Sequence, residues 1–210
     1  MRHSSLSEKA YDLLKEEIIS AELRPGAFVV EEECAERLRM SRTPVREALK
    51  KLEHEGLVQR IPQRGVFVTE LSIHDFLEIC EVRDRLESYA CRIAAEKVDL
   101  RALEKFEEEF SALDVPDPDE ETVGRASRVD REFHQFILES AGNHRIVSII
   151  SHLNDVINRL RFALTPRRYP ESLQEHRRIL QALKARDPEE AEVAMHAHID
   201  AVRRSLHLLR

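Results

Sequence analysis

Glycine is scarce in this chain, with five in 210 residues. That argues against a nucleotide-binding fold built on glycine-rich phosphate loops. Cysteine is nearly as rare. Cys34, Cys80 and Cys91 are odd in number and form no Cys-x-x-Cys pair, so they read as reduced core residues, not a disulfide framework. No apolar run approaches the ~18 residues that a membrane-spanning helix needs. Residues 1–6 show no apolar signal-peptide region, so a cytoplasmic location and no membrane partner are expected. No strand pattern follows Thr69, and no internal repeat or long low-complexity tract occurs.

What the chain does contain is 42% apolar and 35% charged residues, the composition of a helix-rich globular protein of one large domain or two modest ones. Net charge is −7, which at first opposes a nucleic-acid partner. Its distribution is uneven. Residues 1–71 hold 12 basic against 13 acidic groups, and residues 72–210 hold 21 against 27. Within residues 42–64 six basic groups face three acidic ones, a local patch of +3. Such a patch can contact phosphates while the rest of the molecule stays acidic.

Apolar residues at Ala10, Leu13, Leu14, Ile18 and Ile19 predict a helix over residues 7–20, with Ser7 as its N-cap. Arg24-Pro25-Gly26 breaks it. Two more helices follow, at 31–39 and 42–55, with Gly56 at the second one's stop. Residues 57–61 and 66–69 are then β-branched and apolar around Pro62-Gln63-Arg64-Gly65, which predicts a hairpin with a basic tip. Three helices and a hairpin make a winged helix-turn-helix. From Ser72 onward six helices are expected, at 72–97, 100–113, 122–141, 144–164, 171–186 and 188–209. The predicted fold is therefore mainly α, a winged helix-turn-helix over 1–71 and an all-α six-helix bundle over 72–210.

In the helix over 42–55, Val45, Ala48, Leu49 and Leu52 share one face. Arg42, Thr43, Arg46 and Lys50 share another. A recognition helix needs that arrangement, because Arg can make bidentate contacts with guanine in the major groove. Arg64 and Gly65 at the hairpin tip suit backbone or minor-groove contact. A solvated charged face is the ordinary fate of such residues, but the order of helices, turn and basic hairpin favours DNA.

Pro25-Gly26, Cys34-Ala35-Glu36-Arg37-Leu38, Ser41-Arg42-Thr43-Pro44-Val45-Arg46-Glu47-Ala48-Leu49, Glu55-Gly56-Leu57-Val58 and Arg64-Gly65 together closely resemble the GntR family of bacterial regulators. The resemblance implies operator contacts from Arg42, Thr43 and Arg46, with Arg64 and Gly65 at the wing. Many relatives carry a basic residue early in the second helix, where this chain has Glu31-Glu32-Glu33. Arg37 is the alternative source of that phosphate contact.

Seven of the ten histidines lie beyond residue 130. His176 sits among Leu173, Ile179, Leu180 and Leu183, and His198 among Ala191, Ala194, Met195 and Val202. Asp130 and His134, at i and i+4, flank the face of Val129, Phe133 and Ile137. Each histidine alone reads best as a core residue with a hydrogen-bond partner. Three inward imidazoles with a carboxylate fit a divalent ion such as zinc, nickel or manganese. Arg83 also faces inward, beside Leu86 and Ala90. Its partner is either Glu87 or the carboxylate of a bound metabolite. Asn154 and Arg161 are further candidates to line that cavity.

Glu81-Val82-Arg83, Asp130-Arg131-Glu132-Phe133-His134, Ala141-Gly142-Asn143, Glu175-His176 and Met195-His196-Ala197-His198 are similar to the FCD sensor domain of FadR-like members of that family. The resemblance implies a metal held by Asp130, His134, His176 and His198. The expected protein is a homodimeric regulator, a repressor reading double-stranded operator DNA under control of a small organic acid. Two other readings stand beside it. One is a metal-dependent hydrolase using the same Asp and His residues, disfavoured because no separate general base is evident. The other is a regulator whose histidine cluster is structural and metal-free.

Overall fold

The computed structural model describes residues 5–70 and 72–209, without the side chains of Phe162, Ala163 and Leu209. Residues 1–4, read above for a leader, and Leu71, the expected end of the first domain, lie outside the described residues. The chain divides into two compact units, Met1–Ser72 and Ile73–Arg210.

In the first unit, α1 spans Leu6–Ile19 and is capped by Ser5, not Ser7. Glu8 stands three residues after Ser5. The Ser5 hydroxyl accepts from the Glu8 N–H, and Glu8 accepts from the Ser5 N–H, a reciprocal capping box that Ser7 cannot form. The helices α2 (Glu31–Arg37) and α3 (Arg42–His54) follow. α2 ends two residues earlier than expected, because Arg39 turns into the left-handed region at φ 54°. Gly56, at φ +75°, follows the end of α3. Val45, Ala48, Leu49 and Leu52 of α3 are buried against Ala10, Leu14 and Ile18 of α1.

Three strands, β1 (Phe28–Val29), β2 (Val58–Ile61) and β3 (Gly65–Val68), form an antiparallel sheet in the order β1-β3-β2. β1 is two residues long, too short to leave a period in the sequence. Val66 and Val68 point into the core, while Phe67 meets the ring of Phe28 at 5.2 Å. A Cβ on Gly65 would run into the Phe28 ring, and Gly65 has φ +106°. Glycine at the wing therefore has a packing reason independent of DNA.

The second unit is all helical among the described residues: α4 (Ile73–Lys97), α5 (Leu100–Ala112), α6 (Glu120–Ala141), α7 (His144–Lys184), α8 (Pro188–Arg204) and a closing 3-10 turn (Ser205–Leu209). Asp99, Asp119, Asn143 and Asp187 cap four of these helices with their side chains. α4 packs against α6, α7 and α8. Phe110 and Phe133 meet edge to face at 5.1 Å in the core.

Residues 165–170, expected to separate two helices, hold a sharp kink between two helical segments instead of a loop. α7 (His144–Lys184) is two helical segments joined at the single non-helical residue Arg168 (φ −128°, ψ 17°). Pro166 and Pro170 flank the kink. Pro170 falls in the first turn after it, where no amide hydrogen is needed. The Thr165 hydroxyl takes up the Arg161 carbonyl at 2.8 Å. The proline pair thus bends the helix where the sequence pattern suggested a loop.

Gly65→Ala should destabilise the protein by about 1–3 kcal/mol, from the positive φ and the Phe28 clash together. Thermal unfolding checks this. Adding Phe28→Ala should recover the steric part of the loss and leave the backbone part.

Candidate functional site

The second unit brings Asp130, His134, His176 and His198 together. α6 supplies the first two, one turn apart, α7 supplies His176 beyond the kink, and α8 supplies His198. One donor atom from each lies within 4.8 Å of the others. Asp130 Oδ1 stands 3.2 Å from both His134 Nε2 and His176 Nε2, and those two nitrogens are 3.4 Å apart. Donors about 2.1 Å from a tetrahedral ion are roughly 3.4 Å from one another. All three histidines are buried. Asp130 Oδ1 is buried as well and accepts no hydrogen bond. An orphaned carboxylate oxygen facing two imidazole nitrogens is the donor set a divalent cation requires, so the residues fit one.

The outer nitrogens are held in place. His134 Nδ1 lies 2.6 Å from Glu87 Oε2, and His198 Nδ1 lies 2.8 Å from Glu175 Oε2. The carboxylates accept from Nδ1–H, which leaves the Nε2 lone pairs inward. His176 is stacked on Phe110 with ring centroids 5.6 Å apart.

Each carboxylate carries an arginine. Arg83 Nε donates to Glu87 Oε1 at 2.7 Å, Arg161 Nε sits 2.7 Å from Asp130 Oδ2, and Arg168 Nη2 donates to Glu175 Oε1 at 2.7 Å. Of the two partners considered for Arg83, the structure supplies Glu87. Burial works against the charge on Asp130 and Glu87, but the neighbouring arginines and histidines outweigh it. Both carboxyls are held well below their ordinary range. Burial lowers the affinity of His176 and His198 for protons; for His198 the neighbouring imidazoles add to it.

Beside the cluster lies a cavity of about 270 Å³, lined by His134, Glu87, Asn154, Arg161 and Ile157 among others. Asn154 and Arg161 thus face one space. Arg83 does not line it; with Arg161, Arg168 and His198 it borders a separate pocket of about 30 Å³, room for about one water. The roles of Glu175 and Arg168 were not read from the sequence. A glutamate next to His176 on an apolar helix was the available signal.

In the first unit, Arg42, Thr43, Arg46 and Lys50 are exposed along α3, as is Arg64 at the wing, where its guanidinium lies 5.9 Å from the Phe67 ring. No side chain caps α3 at Ser41, so its first amide groups keep no side-chain partner there. Arg37 is held by Glu17 of α1 and lies 3.8 Å from Cys34 Sγ. Acidic groups sit close to the basic face. Glu32 pairs with Arg42, and Glu31 takes Arg46 Nε at 3.0 Å and Arg60 Nη2 at 3.5 Å. Lys50 pairs with Glu47 at 3.1 Å. The sequence marked the three glutamates as unusual but not their partners, and it did not single out Arg60.

With metal removed, stability should fall as pH drops from about 7.5 to about 5.5. The unfolded chain takes up protons on His176 and His198 below about 6.5, and the native state resists them. That stability is therefore present above the unfolded value and lost below it. The depressed carboxyls act in the same direction at lower pH. Urea unfolding at both pH values checks this, and His198→Gln should flatten the dependence.

Comparison with known proteins agrees with this architecture. Residues 6–68 match the bacterial regulatory proteins of the gntR family, and residues 78–201 match the FCD domain. The chain is 30% identical over 196 residues to the HTH-type transcriptional regulator YdhC of Bacillus subtilis (strain 168), covering 90% of this chain and 86% of that protein. It is 27% identical to the HTH-type transcriptional repressor RspR of Escherichia coli (strain K12), covering 98% and 90%. The structure resembles Escherichia coli McbR/YncC with a TM-score of 0.78 at 24% identity, over 98% of each chain. None of the described helices is long and apolar enough to cross a membrane. This chain belongs to the GntR family of bacterial transcriptional regulators, with an FCD domain following its DNA-binding domain.

Proposed function

We propose that this regulator is a homodimeric repressor, acting in the cytoplasm, whose hold on operator DNA is set by a small organic acid bound at a metal in the second unit. The observation that carries this reading is the Asp130, His134, His176 and His198 cluster beside a cavity that Arg161 and Asn154 also line. These four residues would hold zinc, nickel or manganese. A bound ion would supply coordination positions for the oxygen atoms of a carboxylate.

The charges around the cluster favour an anion. Arg83, Arg161 and Arg168 balance Glu87, Asp130 and Glu175, so a divalent ion leaves a local excess of positive charge. An organic acid offsets that excess. Arg161 would meet it and Asn154 would orient it, while Arg83 would act through Glu87 on His134. Burial keeps His176 and His198 free of protons, which leaves their nitrogens available. The α7 kink sits beside this cavity system at Arg168, and a ligand that binds one kink geometry better than another shifts the balance between them.

On DNA, Arg42, Thr43, Arg46 and Lys50 would enter the major groove. Arg64 and Gly65 would follow the backbone at the wing, and Arg37 would lie near phosphate. Two copies would read a near-palindromic operator.

Two outcomes test this. His176→Ala with His198→Ala should abolish stoichiometric metal, measured by elemental analysis of the purified protein after rebinding, and should end the response of operator binding to organic acids. Retained metal would show the ligands to be misassigned. Arg46→Ala should lose about 1–3 kcal/mol of discrimination between operator and unrelated duplex, read by fluorescence anisotropy.

A further inference from the structure

The acidic start of α2 lies against the basic face of α3, and its two pairings differ in kind. Glu32 takes Arg42 through a terminal nitrogen, Nη2. Glu31 takes Arg46 through Nε. A guanidinium reads guanine with two nitrogens of its fork. When a carboxylate holds Nε, both terminal nitrogens stay available to a base edge. When a carboxylate holds Nη2, the fork itself is occupied.

Glu31 is also the more buried of the two carboxylates, with a side chain 23% exposed against 57% for Glu32. Its second oxygen reaches Arg60 Nη2 on β2, and Arg60 Nε lies 3.6 Å from Glu53 of α3. The Glu31 carboxylate is thus fixed from the wing side while it grips Arg46. α2 places it there because Glu31 is the helix's first residue, one residue beyond the end of β1.

We infer that Glu31 is a positioning residue for base readout: it holds the Arg46 guanidinium by Nε so that its fork meets a guanine edge in a fixed orientation, and it links that orientation to the wing through Arg60. Arg46 is then the base-reading arginine. Arg42 has one nitrogen of its fork engaged by Glu32, so it serves more readily as a phosphate contact. A pre-oriented side chain loses less rotamer freedom on binding, and a wrong base cannot be met by swinging the fork aside. This rests on the assignment of α3 as the recognition helix.

The full-length protein should be tested on a duplex it selects from a randomised library and on an unrelated duplex of equal length. Glu31→Ala should weaken binding to the selected duplex by about threefold to fivefold. Binding to the unrelated duplex should hold or tighten, because a negative charge leaves the DNA face. Glu31→Gln should recover part of the selectivity, since its amide oxygen still accepts from Arg46 Nε. In the Arg46→Ala background, Glu31→Ala should have no further effect on selectivity.

Equal tightening on both duplexes in the alanine and glutamine variants would show simple charge repulsion and overturn the inference. Equal weakening on both would show a purely structural role and overturn it too. No change in Glu31→Ala, while Arg46→Ala loses selectivity, would overturn the inference and leave the recognition helix standing. Full selectivity in Arg46→Ala would overturn both.

Discussion

Burying the Asp130 carboxylate constrains the whole second unit. A carboxylate removed from water must find compensating charge, or it protonates. Here one oxygen is met by Arg161 and the other faces two imidazole nitrogens without a hydrogen bond. Those imidazoles need orientation, which Glu87 and Glu175 supply for His134 and His198. The glutamates in turn need cations, and Arg83 and Arg168 provide them. One buried acid therefore organises polar side chains on four helices, α4, α6, α7 and α8.

This network explains two features that otherwise look unrelated. Arg83 is almost completely buried yet borders only a small pocket, because its task is to hold Glu87 beneath His134. The kink in α7 falls at Arg168, the residue that anchors Glu175, and so bears on His198 through a single carboxylate. Backbone geometry at the prolines and donor geometry at the cluster are coupled by two polar contacts.

The first unit uses charge differently. Its ion pairs lie at the surface, where each contributes about 1 kcal/mol at most and is screened by salt. They do little for stability. Their effect is on direction, since a carboxylate bonded to a guanidinium decides which of its nitrogens stay available to another partner. The unit's stability comes from the apolar contacts of α1, α3 and the sheet, and its capping box.

The sequence by itself determined the element types, the winged helix-turn-helix and the helical second unit, and it put Asp130 and His134 one turn apart on one helix. Each of these depends on local periodicity or on spacing along one helix, whereas the meeting of that pair with His176 of α7 and His198 of α8 is tertiary. It misplaced the α1 cap, because two serines competed and only Ser5 has Glu8 at the right offset. It separated the two halves of α7, because a proline pair signals an interruption, but did not show that the interruption is a kink at one residue and not a loop. The tertiary structure alone decided the partners of charged groups on different elements: Glu87 with His134, Glu175 with His198, Glu31 with Arg46 and Arg60. Residues up to 47 positions apart meet in these contacts, and no periodicity along the chain encodes which side chains of two different elements will face each other.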